Sequence, residues 1–151
     1  MRLRAAGLRC ALVLAAIATS LTDARPAEPA APPVAIHYIE RRIERPTPLN
    51  NEDPIPDDEG LKGAELGAKD SNATGRFVGL SFALKSTIVA PGADIRAAFA
   101  EIARDGAPRF VVVNAPADDV LALADSEEGR DTVFLNIGAT DTRLRDGDCR
   151  A

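Results

Sequence analysis

The sequence has few of the residues from which metal sites and hydrolytic centres are built. Its 151 residues include one histidine and two cysteines. His37 lies in a short apolar run that is predicted to form a strand. A half-buried structural role is favoured there over a catalytic base, because catalysis needs an oriented partner. The chain has no Ser/His/Asp set and no Cys/His group with metal-ligand spacing. We therefore predict no catalytic activity and no bound cofactor or metal.

The chain also lacks a basic excess and the glycine pattern of dinucleotide sites. It has 18 basic and 23 acidic residues, for a net charge of −5. Loss of the first 24 residues, which hold three arginines and one aspartate, would leave −7. An acidic chain without a basic patch is a poor nucleic-acid binder. No G-x-G-x-x-G sequence occurs, so the glycines do not predict a dinucleotide site.

Long hydrophobic runs are confined to the N-terminus. Residues 1–9 are basic, Cys10 to Leu21 is largely apolar, and small residues follow up to Ala24. This order predicts a secretory signal peptide over residues 1–24, cleavage before Arg25 and export to the periplasm. The alternative is a short membrane anchor that is left uncleaved. No later apolar run is long enough to span a membrane.

Two proline-rich stretches are predicted to lie outside regular structure. Residues 25–33 form an extended Pro/Ala leader. Residues 40–59 hold four prolines and several acids, and proline at that density excludes a helix interior or a central strand. Glu40, at the end of the first predicted strand, could reach the carboxyl edge of the sheet, but a solvated loop charge is favoured for it. Once Cys10 is lost with the signal peptide, Cys149 has no internal disulfide partner, so it is either a free thiol or paired outside the chain.

A strand, a tight turn and a helix start follow one another in the middle of the chain. Phe110 to Val113 is a short β-branched run typical of a strand covered on both faces, as in parallel sheets. Pro116 suits a first helical turn, and Asp118 and Asp119 suit the positive end of a helix. In open α/β sheets ligands bind at the carboxyl ends of the strands, so this turn is the expected functional edge.

The flanking segments repeat the same order of elements. An amphipathic helix is predicted from Ile95, since Ala98, Phe99, Ile102 and Ala103 continue its apolar stripe. The other predicted elements are strands at 34–39, 77–89 and 132–137 and helices at 60–75 and from the turn at Pro116 to before Gly129. The order βαβαβαβ predicts an α/β fold with a parallel, doubly wound, three-layer sheet.

Two features of the helix at 60–75 need an explanation. Its small residues recur at three- and four-residue spacing, which predicts close approach of the helix to the sheet; they are Gly60, Gly63, Ala64, Gly67 and Ala68. Asn72-Ala-Thr74 matches a glycosylation sequon. We treat this match as chance, because a helix would order or bury the asparagine.

Several of these segments resemble type I periplasmic solute-binding proteins of ABC transporters. The helix Gly63–Gly75, the turn Phe110–Pro116 and the segment Asn136–Thr140 are similar to that family's first helix and its third and fourth strand ends. A narrower resemblance is to the branch associated with pyrroloquinoline-quinone-dependent alcohol oxidation. It is carried by Tyr38–Arg41, Asn114–Asp118, Asn136–Asp141, Arg143–Arg145 and Asp148–Arg150. The likeness covers residues 34 to 150.

This resemblance implies an exported substrate-binding component of an importer, with a small solute and an ABC permease as partners. Carried over by position, the ligand-facing residues are Asn114, Ala115 and Pro116 after the third strand and Ala139, Thr140 and Asp141 after the fourth. For Asn114 a turn or cap role is as well supported as ligand contact. The turn after the third strand has no hydroxyl where amino-acid-binding members usually place serine, which argues against an amino-acid ligand.

Family members have two lobes and more than twice this length, so the resemblance covers only part of a first lobe. Two alternatives stay open. One is an exported α/β enzyme that uses Asp141, Asp146 or Asp148, although flanking arginines favour solvated ion pairs there. The other is a truncated, non-functional gene product.

Overall fold

The computed structural model describes residues 31–45, 55–104 and 106–150. The predicted signal peptide, most of the leader and the middle of the proline-rich stretch lie outside these ranges. Within them, no helix combines the length and the apolar character that crossing a membrane requires. The elements, in chain order, are β1 (Val34–Arg41), α1 (Glu59–Gly75), β2 (Phe82–Val89), α2 (Ile95–Ala103), β3 (Phe110–Asn114), α3 (Ala117–Ala124), β4 (Val133–Asn136) and a 3-10 turn (Thr142–Arg145).

The four strands form one parallel sheet in the order β2-β1-β3-β4. From β1 the chain passes through α1 to β2 at one edge of the sheet. It then crosses back to β3 on the other side of β1 and continues to β4. Strand order therefore reverses between β1 and β3, the place where ligands bind in doubly wound sheets. The predicted α/β class, with a parallel sheet interleaved with helices, is confirmed.

The core lies on the face of the sheet that α2 and α3 cover. Ile39, Val111 and Val113 project from this face and are buried against Phe99 and Leu123 of the two helices. Full burial of such side chains contributes about 1.5–3 kcal/mol each. The Asp94 side chain accepts a hydrogen bond from the Arg96 amide at 2.9 Å and so caps α2. The amphipathic helix predicted from Ile95 is therefore well anchored.

An aromatic pair joins the last strand to this core. The rings of Phe99 and Phe134 pack edge to face with their centroids 5.5 Å apart. Because Phe134 faces the helices, its neighbours Val133 and Leu135 face the other way. Val133 is 47% exposed and Leu135 is 48% exposed. The opposite face of β4 is thus apolar and open to solvent.

Helix α1 covers the other face at β1 and β2, which completes the three layers. A Cβ added at Gly60 would lie 2.6 Å from the Tyr38 hydroxyl, and one added at Gly75 would lie 2.5 Å from the Leu80 carbonyl oxygen. Gly63 and Gly67 have nothing within 4 Å of an added Cβ. The predicted close approach is right for Gly60 and wrong for Gly63 and Gly67, since these two lie on the outer side of the helix.

Asn72 fastens α1 to the edge strand. Its amide nitrogen donates to the Phe82 carbonyl oxygen at 2.9 Å, and its amide oxygen accepts from the Phe82 amide at 2.7 Å. Both Phe82 groups point away from β1, because the neighbouring Ser81 carbonyl accepts from the Val34 amide. The asparagine of the sequon therefore closes a strand edge that would otherwise be open.

Two boundaries differ from the sequence prediction. Strand β1 runs through Glu40 and Arg41, so the proline-rich loop begins later than predicted. Strand β2 starts at Phe82 instead of Phe77, which is 77% exposed in a turn. Helix α3 begins at Ala117 with Pro116 as its N-cap and with Asp118 and Asp119 in its first turn, as the sequence predicted.

Candidate functional site

A cavity of about 550 Å³ opens at the carboxyl ends of β1 and β3. Asn114, Ala115 and Pro116 line it, together with Glu40 and Gly138. These three predicted residues thus lie at the point where strand order reverses. The parallel register places Asn114 opposite Glu40, so the two side chains project from the same face.

A chain of three side chains forms the polar wall of this cavity. The Tyr38 hydroxyl donates a hydrogen bond to Oε2 of Glu40. The same hydroxyl accepts a hydrogen bond from Nδ2 of Asn114 at 3.1 Å. Tyr38 is fully buried and Glu40 is 6% exposed. Burial, reinforced by the hydrogen bond to Glu40, raises the pKa of Tyr38 to about 12, so its hydroxyl is neutral near pH 7.

Glu40 is the site residue that the sequence prediction misplaced. It was expected to be a solvated loop charge, whereas it is a buried residue of β1. The alternation of Tyr38 and Glu40 along one strand puts both on the α1 face. That alternation could have placed Glu40 on the strand, but the prolines further along led to a predicted end at Ile39, two residues before the observed one.

Gly138 brings the loop after β4 against the turn after β3. An added Cβ there would lie 3.0 Å from the Ala115 amide nitrogen and closer still to Oδ1 of Asn114. Asn136 holds this loop, since its Oδ1 accepts from the Ala139 amide at 2.9 Å and its Nδ2 donates to the Ala139 carbonyl at 2.8 Å. The loop therefore forms one wall of the cavity through its backbone.

The second predicted group lies elsewhere. Ala139, Thr140 and Asp141 line a separate cavity of about 730 Å³ beside α3 and β4. The structure therefore brings Asn114, Ala115 and Pro116 together at one site and places the other three residues around another.

Asp141 has a structural role in the turn that it begins. Its Oδ1 accepts from the Arg143 amide at 3.1 Å, which caps the 3-10 turn. Its Oδ2 lies 3.1 Å from Nε of Arg143, an ion pair without the angle of a hydrogen bond. The Arg143 guanidinium also hydrogen-bonds Asp118, and this raises the pKa of Arg143. The Asp141 carboxylate is thus paired with Arg143.

The charges around the first cavity fall into two groups. Arg41 projects from the opposite face of β1, where Asp119 binds it through two nitrogens and the Ala93 carbonyl accepts a third bond. The mouth is lined by exposed residues of both signs, two basic and two acidic: Arg42, Arg45, Glu44 and Asp57. Glu40 lines the same cavity and is the buried acidic residue among these charges.

His37 has the structural role that the sequence favoured. It is half-buried on β1, and its Nε2 lies 3.0 Å from the Thr87 hydroxyl on β2. Burial, with a smaller contribution from Lys85, lowers the pKa of His37. Across residues 31–45, 55–104 and 106–150, no cluster of three His, Cys, Asp or Glu side chains could hold a metal ion.

No model of a protein family, no curated protein and no solved structure matches this chain. The resemblance to solute-binding proteins therefore remains a prediction from the sequence.

Proposed function

We propose that this protein is the exported substrate-binding component of an ABC-type importer, holding a small solute at the carboxyl ends of its strands. The observation that carries the proposal is the cavity between the ends of β1 and β3. Doubly wound sheets bind ligands where strand order reverses. Asn114, Ala115 and Pro116, which the resemblance assigns to ligand contact, line this cavity.

The polar wall of the cavity supports binding over covalent chemistry. With its pKa raised to about 12, the Tyr38 hydroxyl stays protonated near pH 7 and donates to Glu40, instead of acting as a nucleophile or base. Asn114 is held in turn by that hydroxyl. Side chains fixed in this way present oriented hydrogen-bonding groups, which is what a small-molecule site needs.

The transport role itself rests on the sequence resemblance. The similarity to type I solute-binding proteins supports a periplasmic location and an ABC permease as partner. The narrower motifs, among them Tyr38–Arg41 and Asn136–Asp141, support a link to pyrroloquinoline-quinone-dependent alcohol catabolism. In such receptors a second lobe closes over the ligand and supplies much of the contact. The few hydrogen bonds that these strand ends offer would by themselves give binding in the millimolar range.

Two measurements test the proposal. N-terminal sequencing of the periplasmic fraction should find Arg25 as the first residue, and a cytoplasmic chain that retains Met1 would contradict export. Titration of amide NMR spectra with alcohols, aldehydes, carboxylates, amino acids and the quinone should identify a solute that shifts Asn114 and Ala115.

A pair of variants locates the solute. Asn114→Ala should weaken binding by roughly 0.5–1.5 kcal/mol, about two- to tenfold, because one hydrogen bond is lost. Thr140→Ala, which changes the other cavity, should leave the affinity unchanged. The reverse result would place the solute beside α3 and β4 and would contradict the proposed site.

A further inference from the structure

We propose that the cavity at the ends of β1 and β3 selects a solute with a cationic nitrogen, and that Glu40 is the counter-charge for it. This inference rests on the proposed function, since it names the class of solute that the same site would take. It goes beyond that function in assigning Glu40, which the resemblance does not place among the ligand-facing residues, as the residue that determines specificity.

The burial of Glu40 is the first step. A carboxylate that is 6% exposed has lost most of its contact with water, and such a charge is costly unless it is paired and hydrogen-bonded. Among the described residues, one side-chain hydrogen bond reaches it, from the neutral Tyr38 hydroxyl to Oε2. Within the same ranges no ion pair to Glu40 is formed.

Asn114, opposite Glu40 on β3, and Arg41, the next residue on β1, already hydrogen-bond to other groups. Nδ2 of Asn114 donates to the Tyr38 hydroxyl at 3.1 Å and so acts on Glu40 only through that hydroxyl. The adjacent Arg41 projects from the other face, where its guanidinium is bound by Asp119 and the Ala93 carbonyl. Glu40 therefore lines the cavity without a counter-ion from either neighbour.

The rest of the cavity does not change this sign. Arg41 also lines it, but Asp119 neutralises this arginine, and the two basic and two acidic residues at the mouth balance one another. Ala115, Pro116 and Gly138 add no side-chain charge. An anionic solute would have to approach a buried negative charge. A cationic one would neutralise it, and inside a protein such attraction is stronger than in water.

An ammonium group suits the carboxylate better than a hydroxyl group does. Both can donate a hydrogen bond to Glu40, but a bond between two ionised groups is shorter and about twice as strong as a neutral one. Only the ammonium also offsets the cost of burying the charge. The predicted solute is thus a small amine whose carbon chain lies against Ala115 and Pro116.

Three compounds that differ only in their head group test this assignment. Butylamine, 1-butanol and butyrate would be titrated into the full chain as it exists after export, with amide NMR spectra as the readout. We expect butylamine to bind at least about tenfold more tightly than 1-butanol, which corresponds to about 1.4 kcal/mol. Butyrate should bind more weakly still. Added salt should reduce the preference only slightly, because buried pairs are poorly screened.

Two matched variants separate Glu40 from the overall negative charge of the chain. Glu40→Gln keeps the shape and removes the charge, so the preference for butylamine should disappear. Glu128→Gln removes an exposed acid outside this cavity and should keep that preference. If Glu40→Gln does not fold, the side-chain carboxyl carbon of Glu40 in the unchanged protein provides a second readout. Its resonance should shift with butylamine and not with 1-butanol.

The outcomes distinguish this inference from the proposed function. If 1-butanol or butyrate binds as tightly as butylamine and shifts Asn114 and Ala115, the cationic class is wrong while the solute site stands. A preference for butylamine that survives in Glu40→Gln also overturns the assignment. If no compound of the wider panel shifts these residues, the proposed function falls as well.

Discussion

Tyr38 and Glu40 lie two residues apart on β1, and the tyrosine hydroxyl donates a hydrogen bond to the carboxylate. The contact follows from strand geometry, because alternate side chains project from the same face. It fixes the carboxylate at the edge of the cavity. It also couples the protonation of the only tyrosine in the chain to the charge of Glu40.

The single tyrosine makes that coupling directly measurable. Tyrosinate absorbance of the folded protein should titrate with a midpoint near pH 12, against 10.0 for the chain unfolded in denaturant. Burial is the largest cause of the shift, so Glu40→Gln should lower the midpoint only part of the way. Because the folded state holds the proton more tightly, stability should be lost as the pH rises from 10 towards 12. A folded midpoint near 10 would contradict the burial of Tyr38.

The lowered pKa of His37 predicts how the stability of the fold changes at acidic pH. Burial lowers its pKa below 6.5, so in acid the unfolded chain takes up the proton more readily than the folded one. Stability should therefore fall as the pH drops below 6.5, and the unfolding temperature would report it. The NMR titration of the only histidine gives its pKa without ambiguity.

His37→Gln is the control for this loss of stability in acid. The variant should lack the part of the fall in unfolding temperature that protonation of His37 causes. Lys85→Met should weaken the shift slightly, since Lys85 is the smaller cause. A histidine that titrates at or above 6.5 in the folded protein would show that the ring is solvated.

The fold was predictable where one periodicity extends over a whole element. Val111 and Val113 in β3, and Ile95 and Phe99 in α2, are buried as the apolar pattern requires. The start of β2 was wrong because Phe77 belongs to an apolar run that Gly79 interrupts. Gly79 adopts a φ of 71°, which an extended strand does not allow. Apolar content alone could not show that turn.

The candidate site was predicted only in part. The strand–turn–helix pattern predicted the turn after β3 as the functional edge, and the resemblance named Asn114, Ala115 and Pro116 within it. These residues lie at the carboxyl end of β3 and line the cavity. The burial of Glu40 was missed because the sequence of β1 does not show what covers this face of the strand, where Gly60 of α1 comes close to both Tyr38 and Asn114. Such a contact between a helix and two strands is a property of tertiary structure. A pattern within one segment does not contain it.

Asn72 should contribute to stability through the edge of β2. Asn72→Ala removes two hydrogen bonds to the Phe82 backbone and should destabilise the protein by about 1–3 kcal/mol. Thr74→Ala destroys the same sequon while leaving those bonds intact, and its effect should stay within about 0.5 kcal/mol. Chemical denaturation of both variants measures the difference. Equal losses in the two would indicate that glycosylation, and not the hydrogen bonds, is responsible.

The open apolar face of β4 should promote self-association. Val133 and Leu135 lie on the edge strand β4 and are 47% and 48% exposed. Ile137, the next alternate position, follows the strand and is 55% exposed. Leu135→Lys should reduce both the binding of a hydrophobic dye and the average mass measured by light scattering. Leu66→Lys, at a 58% exposed position on α1, is the matched control and should change neither. A dye-free monomer in the unchanged protein would contradict the prediction.

The glycines of α1 provide a pair of substitutions with opposite expected signs. Gly63→Ala adds a methyl group to open space, and alanine is favoured over glycine in a helix by up to about 1 kcal/mol, so the unfolding temperature should rise. Gly60→Ala gains the same propensity but places its methyl group 2.6 Å from the Tyr38 hydroxyl, where helix and sheet must separate. That separation strains the hydrogen bonds among Tyr38, Glu40 and Asn114, so Gly60→Ala should lower the unfolding temperature. It should also shift the amide resonances around the cavity, which Gly63→Ala should leave in place. If both variants were stabilised equally, α1 would not pack at Gly60, and the burial of Glu40 would need another cause.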